Sequence, residues 1–351
     1  MITQPKRYAS VLAKIGAERS KLLSEGKQKA LAETKDLTSL SGQLKDTSYL
    51  PQIAKVQQPI TSRKLERAFN ENFIESIEKI IKNCPKRVTS YLNLYALRFE
   101  IENIKVLIKS ANAELGFEQK LARMYLSVED YLKNRSIFED AAKAQTVKQV
   151  VNAFKNTSYA STLNSGLQGY EEKGSTARFD VLLDKGFYDK LQDAYQHLPK
   201  AEKPHAIFYA SMENDIFSLL TLLRGKSLNH DANWLRLATP RINFYVSTET
   251  VESLLSAPDF ESALKIALES HYGKFFIKSA IPVEAIGNTE QIFMKTRFEH
   301  AKSKRIFENF NIGAPLAYLT QKEAEVHNLV AISSGVEASV SPELISSQLQ
   351  F

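Results

Sequence analysis

The sequence predicts an all-α protein made of three similar helical domains. Three observations carry this. Glycine and proline are sparse, 13 and 11 in 351 residues, which disfavours a turn-rich sandwich and favours helices. A tyrosine-bearing stretch recurs: Lys45-Asp46-Thr47-Ser48-Tyr49, Lys155-Asn156-Thr157-Ser158-Tyr159 and Leu268-Glu269-Ser270-His271-Tyr272. A second pattern, an acid followed three residues later by a short polar residue and then by apolar positions, recurs at Glu100, Asp215 and Glu325. The tyrosines lie 110 and 113 residues apart and the acids 115 and 110, so the two patterns share one period, about a third of the chain.

Taken in chain order, residues 8–33 form a basic amphipathic helical stretch with Val11, Leu12, Ile15, Leu22 and Leu23 as apolar positions. Such a stretch can lie on a membrane surface. Its scattered charges and glycines favour packing within the first domain. Each tyrosine stretch ends an amphipathic helix with Leu40 and Leu44, Val147, Val151 and Phe154, or Phe260, Leu264 and Ala267 on its apolar face. A helix–break–helix joint follows, in which Thr47, Thr157 or Ser270 is expected to N-cap the next helix. In the acid-bearing helices, Ile101, Ile104 and Ile108 form one face and Glu100 its shoulder. Ile216, Leu219 and Leu223 repeat this beside Asp215, as do Val326 and Leu329 beside Glu325. The domains are expected at 1–115, 116–230 and 231–351, with Gly116 and the polar stretch 227–233 as junctions. Arg241-Ile242-Asn243-Phe244-Tyr245-Val246 reads as an extended linker into a helix beginning near Ser247.

Units of this length exceed known short helical repeats and point to pseudo-threefold symmetry about an axis, a ring, funnel or socket. The six candidate partner-binding residues follow from the second pattern: Glu100 and Asn103, Asp215 and Ser218, Glu325 and Asn328. Two readings stand for the acids: internal bonds tying neighbouring helices, or a polar lining that contacts an axial partner. Ser218 replaces asparagine in the second copy, and Ser333 and Ser334 stand where the first has Ile108 and Lys109.

Signals for chemistry are poor. Gly225-Lys226-Ser227 ends like a phosphate loop, but Leu220 stands where the motif needs glycine, and the preceding residues have a helical period. The six histidines have no metal-ligand spacing, so no metal or cofactor is expected and no enzyme is predicted. The single cysteine, Cys84, excludes an internal disulfide, fits a reducing compartment, and reads as a helix-end or core residue. No apolar run long enough to span a membrane occurs, and no leader is expected at the start. The net charge of +6 is spread among interspersed acids. It is weak support for nucleic acid.

The residues also carry a family resemblance. Residues 8–23 followed by 37–53 resemble the start of the C subunit of the archaeal-type rotary ATPase central stalk, itself similar to the d subunit of the eukaryotic vacuolar enzyme. Residues 99–110 resemble that family's acidic-Asn-Ile helix. Residues 312–349 are similar to its C-terminal signature, in which Tyr318, Lys322, Glu323, Glu325, Asn328 and Leu329 precede Ser341-Pro342-Glu343. The resemblance spans nearly the whole chain. It implies a funnel of three helical domains, present once per complex, that receives the rotor shaft subunits (D/F type) and rests on the cytoplasmic loops of the membrane proteolipid ring (c/K type). It implies a peripheral place at the cytoplasmic face, torque transmission without catalysis, no nucleic acid, and a coupling ion chosen elsewhere. The alternatives are a soluble helical protein-binding scaffold without a rotary role, and a nucleic-acid binder.

Overall fold

The computed structural model describes residues 4–279 and 281–351. Helix makes up 72% of the structure, and no strand occurs among the described residues. The all-α expectation therefore holds. Met1–Thr3, which open the stretch read for a leader, lie outside the described residues.

Contacts divide the chain into two compact units. The first takes Met1–Leu92, Pro199–Ala206 and Met294–Phe351; the second takes Asn93–Leu198 and Ile207–Phe293. These borders fall elsewhere than the period-based limits at 115/116 and 230/231. Each unit keeps the acids with the joint tyrosines bonded to them: Glu325 with Tyr49 in the first, Glu100 with Tyr159 and Asp215 with Tyr272 in the second.

In the first unit, helices Ser62–Ile81 and Gly313–Glu337 pack along each other. Between and around them lie Tyr8, Val11 and Ile15 of helix Gln4–Arg19, with Leu40, Leu44, Phe69, Ile77, Leu319, Leu329 and Ile332, all essentially solvent-free. The amphipathic start of the chain thus buries its apolar stripe inside this unit, each large side chain contributing roughly 1.5–3 kcal/mol of transfer free energy. Glu202 ties the unit together. Its fully buried carboxylate accepts from the Tyr8 hydroxyl (3.0 Å), the Arg87 guanidinium (2.9 Å) and the Ile312 backbone N–H (2.8 Å). The Cys84 thiol is buried, and burial pushes its pKa up to about 12, as befits an inert core residue.

In the second unit, helix Leu94–Asn112 buries Ile101, Ile104, Leu107 and Ile108. Helix Lys203–Ser227, whose residues from 207 on belong to this unit, places Leu219, Leu222 and Leu223 in a core with Leu235, Leu254, Ala263, Tyr272 and Phe293.

The helices before the joints begin alike. Asp36, Thr146 and Asp259 are their N-caps, and their side chains accept from the N–H of Ser39 (2.7 Å), Gln149 (3.3 Å) and Ser262 (2.8 Å). Leu40 and Leu44, Val150 and Phe154, and Ala263 and Ala267 are then buried. The joint hydroxyls do not cap the next helix as expected. The N-cap position belongs to Tyr49, Tyr159 and Tyr272. Instead each hydroxyl bridges the break. Thr47, Thr157 and Ser270 donate back to the carbonyls of Leu44 (2.6 Å), Phe154 (2.8 Å) and Ala267 (2.6 Å). They accept from the N–H of the tyrosine two residues on, at 3.2, 3.2 and 3.3 Å. A local side chain thereby gives the tyrosine N–H an acceptor and adds a second donor to a carbonyl that already accepts from a backbone N–H.

Residues 241–246 form no strand, and the next helix runs Thr248–Ser256 with Ser247 as N-cap, as expected. Gly225-Lys226-Ser227 is the end of a 25-residue helix. Lys226 donates to the carbonyls of Leu255 (2.7 Å) and Ala257 (2.6 Å), so its ammonium caps the end of a neighbouring helix. A Cβ on Gly225 would stand 1.9 Å from Leu235 Cδ2, so the glycine is there for close helix packing. Gly225→Ala is expected to destabilise the protein by about 1–3 kcal/mol through overpacking. Thermal melts check this, and an unchanged melting temperature contradicts it.

Candidate functional site

The three acid-bearing helices, Leu94–Asn112, Lys203–Ser227 and Gly313–Glu337, are called carriers here. Their acids all sit inside the protein, at 4%, 0% and 3% exposure for Glu100, Asp215 and Glu325. Each accepts a hydrogen bond from a joint tyrosine. Tyr159 Oη donates to Glu100 (2.6 Å), Tyr272 Oη to Asp215 (3.1 Å) and Tyr49 Oη to Glu325 (2.7 Å). The two recurring sequence patterns thus form one device, and every joint binds the acid of the preceding repeat, with the first joint bound to the last acid. Burial and the adjacent carboxylates hold all three phenols well above their ordinary pKa.

The remaining oxygen valences are filled differently. Glu100 also accepts from the Asn134 amide. Asp215 accepts from the backbone N–H of Phe244 (2.7 Å), Tyr245 (2.7 Å) and Val246 (3.3 Å) and from Asn214 (3.1 Å). Burial raises the Asp215 pKa, and these backbone donors pull against that rise. Glu325 accepts from the Leu23 N–H and from the Lys322 ammonium (2.7 Å). Lys322 also donates to Tyr49 Oη (2.9 Å) and lies 4.1 Å from the centre of that ring. Lys190 stands likewise 4.1 Å over the Tyr159 ring. Burial lowers the pKa of both lysines.

The polar residues three positions on clamp backbone. Asn103 donates to the Tyr125 carbonyl (3.0 Å) and accepts from the Tyr125 N–H (2.7 Å). Asn328 does the same to Gln350, at 2.8 Å for both bonds, and also donates to Gln28 (2.8 Å). Each carboxamide thus reads both polar groups of one residue, an arrangement serine is too short to make. Ser218 instead bonds Asn243 (2.6 Å), and Asn214, one helical turn earlier, supplies the carboxamide that reaches the Ile242 carbonyl (3.1 Å). The serine departure in the second repeat is therefore offset within the same helix. All six sequence candidates are buried and internally bonded, so the geometry supports the helix-tying reading.

Sequence reasoning missed Asn214, Glu202, Lys190 and Glu129. Lys322 stood inside a quoted motif, and its i,i+3 spacing to Glu325 was the available signal. Glu129 is fully buried; its Oε1 accepts from Asn103 (2.7 Å) and its Oε2 is without a partner. Burial, with Glu100 and Asp130 nearby, raises its pKa to about 8 while the Asn103 bond opposes the rise.

Among the described residues no group of acids, histidines and cysteines could hold a metal ion, and no helix is long and apolar enough to cross a membrane. What the arrangement can do is mechanical: it pins each joint to a carrier through bonds that water cannot replace.

The chain is similar to known proteins along almost all of its length. The family model of the ATP synthase (C/AC39) subunit matches residues 11–348. The C subunit of the A-type ATP synthase of Methanocaldococcus jannaschii is 25% identical, over 99% of this chain and 88% of its own length. That of Pyrococcus abyssi is 26% identical over 96% and 89%, and that of Pyrococcus horikoshii 24% over 96% and 89%.

The buried bonds lead to two expected outcomes. Removing a phenolic hydroxyl leaves a buried carboxylate short of a donor, which costs about 1–3 kcal/mol. Tyr159→Phe is expected to destabilise more than Tyr272→Phe, because Asp215 keeps its backbone donors and Glu100 keeps only an amide. Denaturant unfolding checks the order, and the reverse order contradicts it. For Glu129, the native state holds a proton that the unfolded state has released above the ordinary value of 4.5. Its contribution is fully present below that pH and is lost as the pH rises to about 8. Glu129→Gln is expected to flatten this fall and to be more stable than the parent by about 2 kcal/mol at neutral pH. Parallel stability curves for the two proteins between about pH 5 and 8.5, the window set by the two protonation states, would contradict this.

With the family match extending over almost all of its length, the chain belongs to the ATP synthase (C/AC39) subunit family of the A/V-type rotary ATPases, whose C subunit is a structural stalk component and not itself catalytic.

Proposed function

We propose that the chain is the socket of the central stalk, coupling the rotor shaft subunits to the membrane proteolipid ring and carrying torque between ATP chemistry and ion translocation. The observation that supports this most is the set of three tyrosine–carboxylate joints, in which each repeat is bonded to the acid of the one before and the first to the last. A set of three modules closed in this way suits an axial partner, and the domains in this reading form a pseudo-threefold funnel. In that funnel the shaft seats in the polar opening and the other face rests on the cytoplasmic loops of the ring. The chain then sits once per complex at the cytoplasmic face of the membrane.

The carriers suit the task physically. Torque passes only through parts that do not shear, and the fixed groups here are buried carboxylates, phenols and carboxamides whose release costs desolvation. Polar contacts at the partner surfaces would set the angle, and apolar ones the affinity.

Reconstitution tests the reading. A complex assembled without this chain is expected to hydrolyse ATP with no coupled ion transport, and adding the chain back to restore coupling. The chain is also expected to co-purify with shaft and proteolipid subunits. Coupled transport in its absence would refute the socket role, and retention of RNA or DNA at low salt without stalk subunits would favour the nucleic-acid reading.

A further inference from the structure

The three joints share a phenol and a carboxylate but differ in what surrounds them. Beside the Tyr49 joint, within the first unit, opens a cleft of about 360 Å³. Its lining includes Glu18, Lys21, Ser48, Glu75, Lys79 and Lys322. Lys322 has no counterpart on the other carriers, where Leu97 and Met212 stand three residues before the acid. A lysine only 3% exposed, at a position its sister helices fill with apolar side chains, is costly unless its charge is used.

Its bonds show what is left to use. Two of the three ammonium protons go to Tyr49 and Glu325, leaving one for the cleft it lines. The Ser48 hydroxyl, also lining the cleft, is buried without a partner. At the rim, Lys21 and Lys79 are about half exposed and stand 2.9 and 3.8 Å from Glu18. The cleft thus offers unused donors at its floor and two ammonium groups at its mouth. Glu18 and Glu75 oppose a free polyanion, because a phosphate dianion would meet both carboxylates. A single carboxylate on a protein segment, accompanied by that segment's own N–H or hydroxyl donors, meets no such conflict.

We propose that this cleft is the docking site for an acidic side chain of a protein partner, whose carboxylate accepts from Lys322 and Ser48 between Lys21 and Lys79. Placing that carboxylate on the shaft rests on the central-stalk reading above. In that reading Lys322 distinguishes one joint from the other two, and an asymmetric shaft seats at one angle.

Binding of the purified shaft subunits to the full chain, at low and at high salt, tests this. Lys21→Glu/Lys79→Glu is the main variant, since both side chains reach into solvent; its thermal melt, set against the parent's, separates lost binding from lost fold beside the buried Glu18. Ser48→Ala is the second, because it deletes only an unpartnered hydroxyl. Lys148→Glu/Lys265→Glu, at side chains 77% and 70% exposed, controls for net charge. The double reversal in the cleft is expected to weaken binding about tenfold at low salt and much less at high salt, with the control within about twofold. Ser48→Ala is expected to weaken binding severalfold with unchanged thermal stability. Wild-type binding that the cleft variants leave equal to the control overturns the cleft proposal alone. Absence of any wild-type binding overturns the central-stalk reading and the cleft proposal with it. Inorganic phosphate at millimolar concentration that stabilises the wild type against heat, but not the double variant, makes this a small-anion site and overturns the docking of a protein.

Discussion

A buried carboxylate on a long helix, accepting a hydrogen bond from a tyrosine at a chain break, is used three times and underlies everything else in the molecule. A carboxylate taken out of water is costly unless its oxygens are filled. The surroundings of the joints follow from that demand. The threonine or serine hydroxyl closes the break so that the tyrosine enters at one angle. The amphipathic helix before it buries its apolar face and sets the depth. The carboxamide on the carrier then holds another stretch of backbone against the same helix.

The three sites meet the demand with different partners, and the differences are informative. Asp215 is shorter than the two glutamates and is approached by backbone itself, with N–H groups of residues 244–246 turned toward it. That accounts for an extended linker in an otherwise helical chain: regular helix would consume those donors. Glu325 takes an ammonium, and Glu100 an amide. The hydrogen-bond requirement is kept across the repeats in kind, while the residues that fulfil it are exchanged. Asn214 standing in for the missing asparagine at 218 is the clearest instance.

These joints bear on the stalk role because they are internal. A polar lining offered to a partner would leave its carboxylates in water, free to reorient. Here they are spent on holding helices to one another, so rigidity belongs to the chain itself and recognition is left to other residues. The proposed docking cleft beside Tyr49 is where the two tasks meet, since Lys322 both completes a joint and lines the cleft.

Sparse glycine and proline together with helical period made the all-α class legible, since apolar residues three and four apart mark a buried face wherever it packs. The period also placed Ile101, Ile104 and Ile108, with their counterparts, on a buried face, and showed that a helix and not a strand precedes Gly225-Lys226-Ser227. The recurrence of two patterns showed that the chain repeats, and the acids and their short polar followers were picked out by residue number. Which groups they meet was not legible. Tyr159 and Glu100 are 59 residues apart, and Tyr49 and Glu325 are 276 apart. Nothing local to either residue encodes such a distance. The order of amino acids was enough to specify the helices, their buried faces and the residues that must find polar partners. It took folding in three dimensions to make each joint serve the preceding repeat's acid and to share Lys322 between a joint and a cleft. Periodicity reports which side of a helix avoids water, whereas hydrogen-bond pairing is settled by packing between segments distant in the chain.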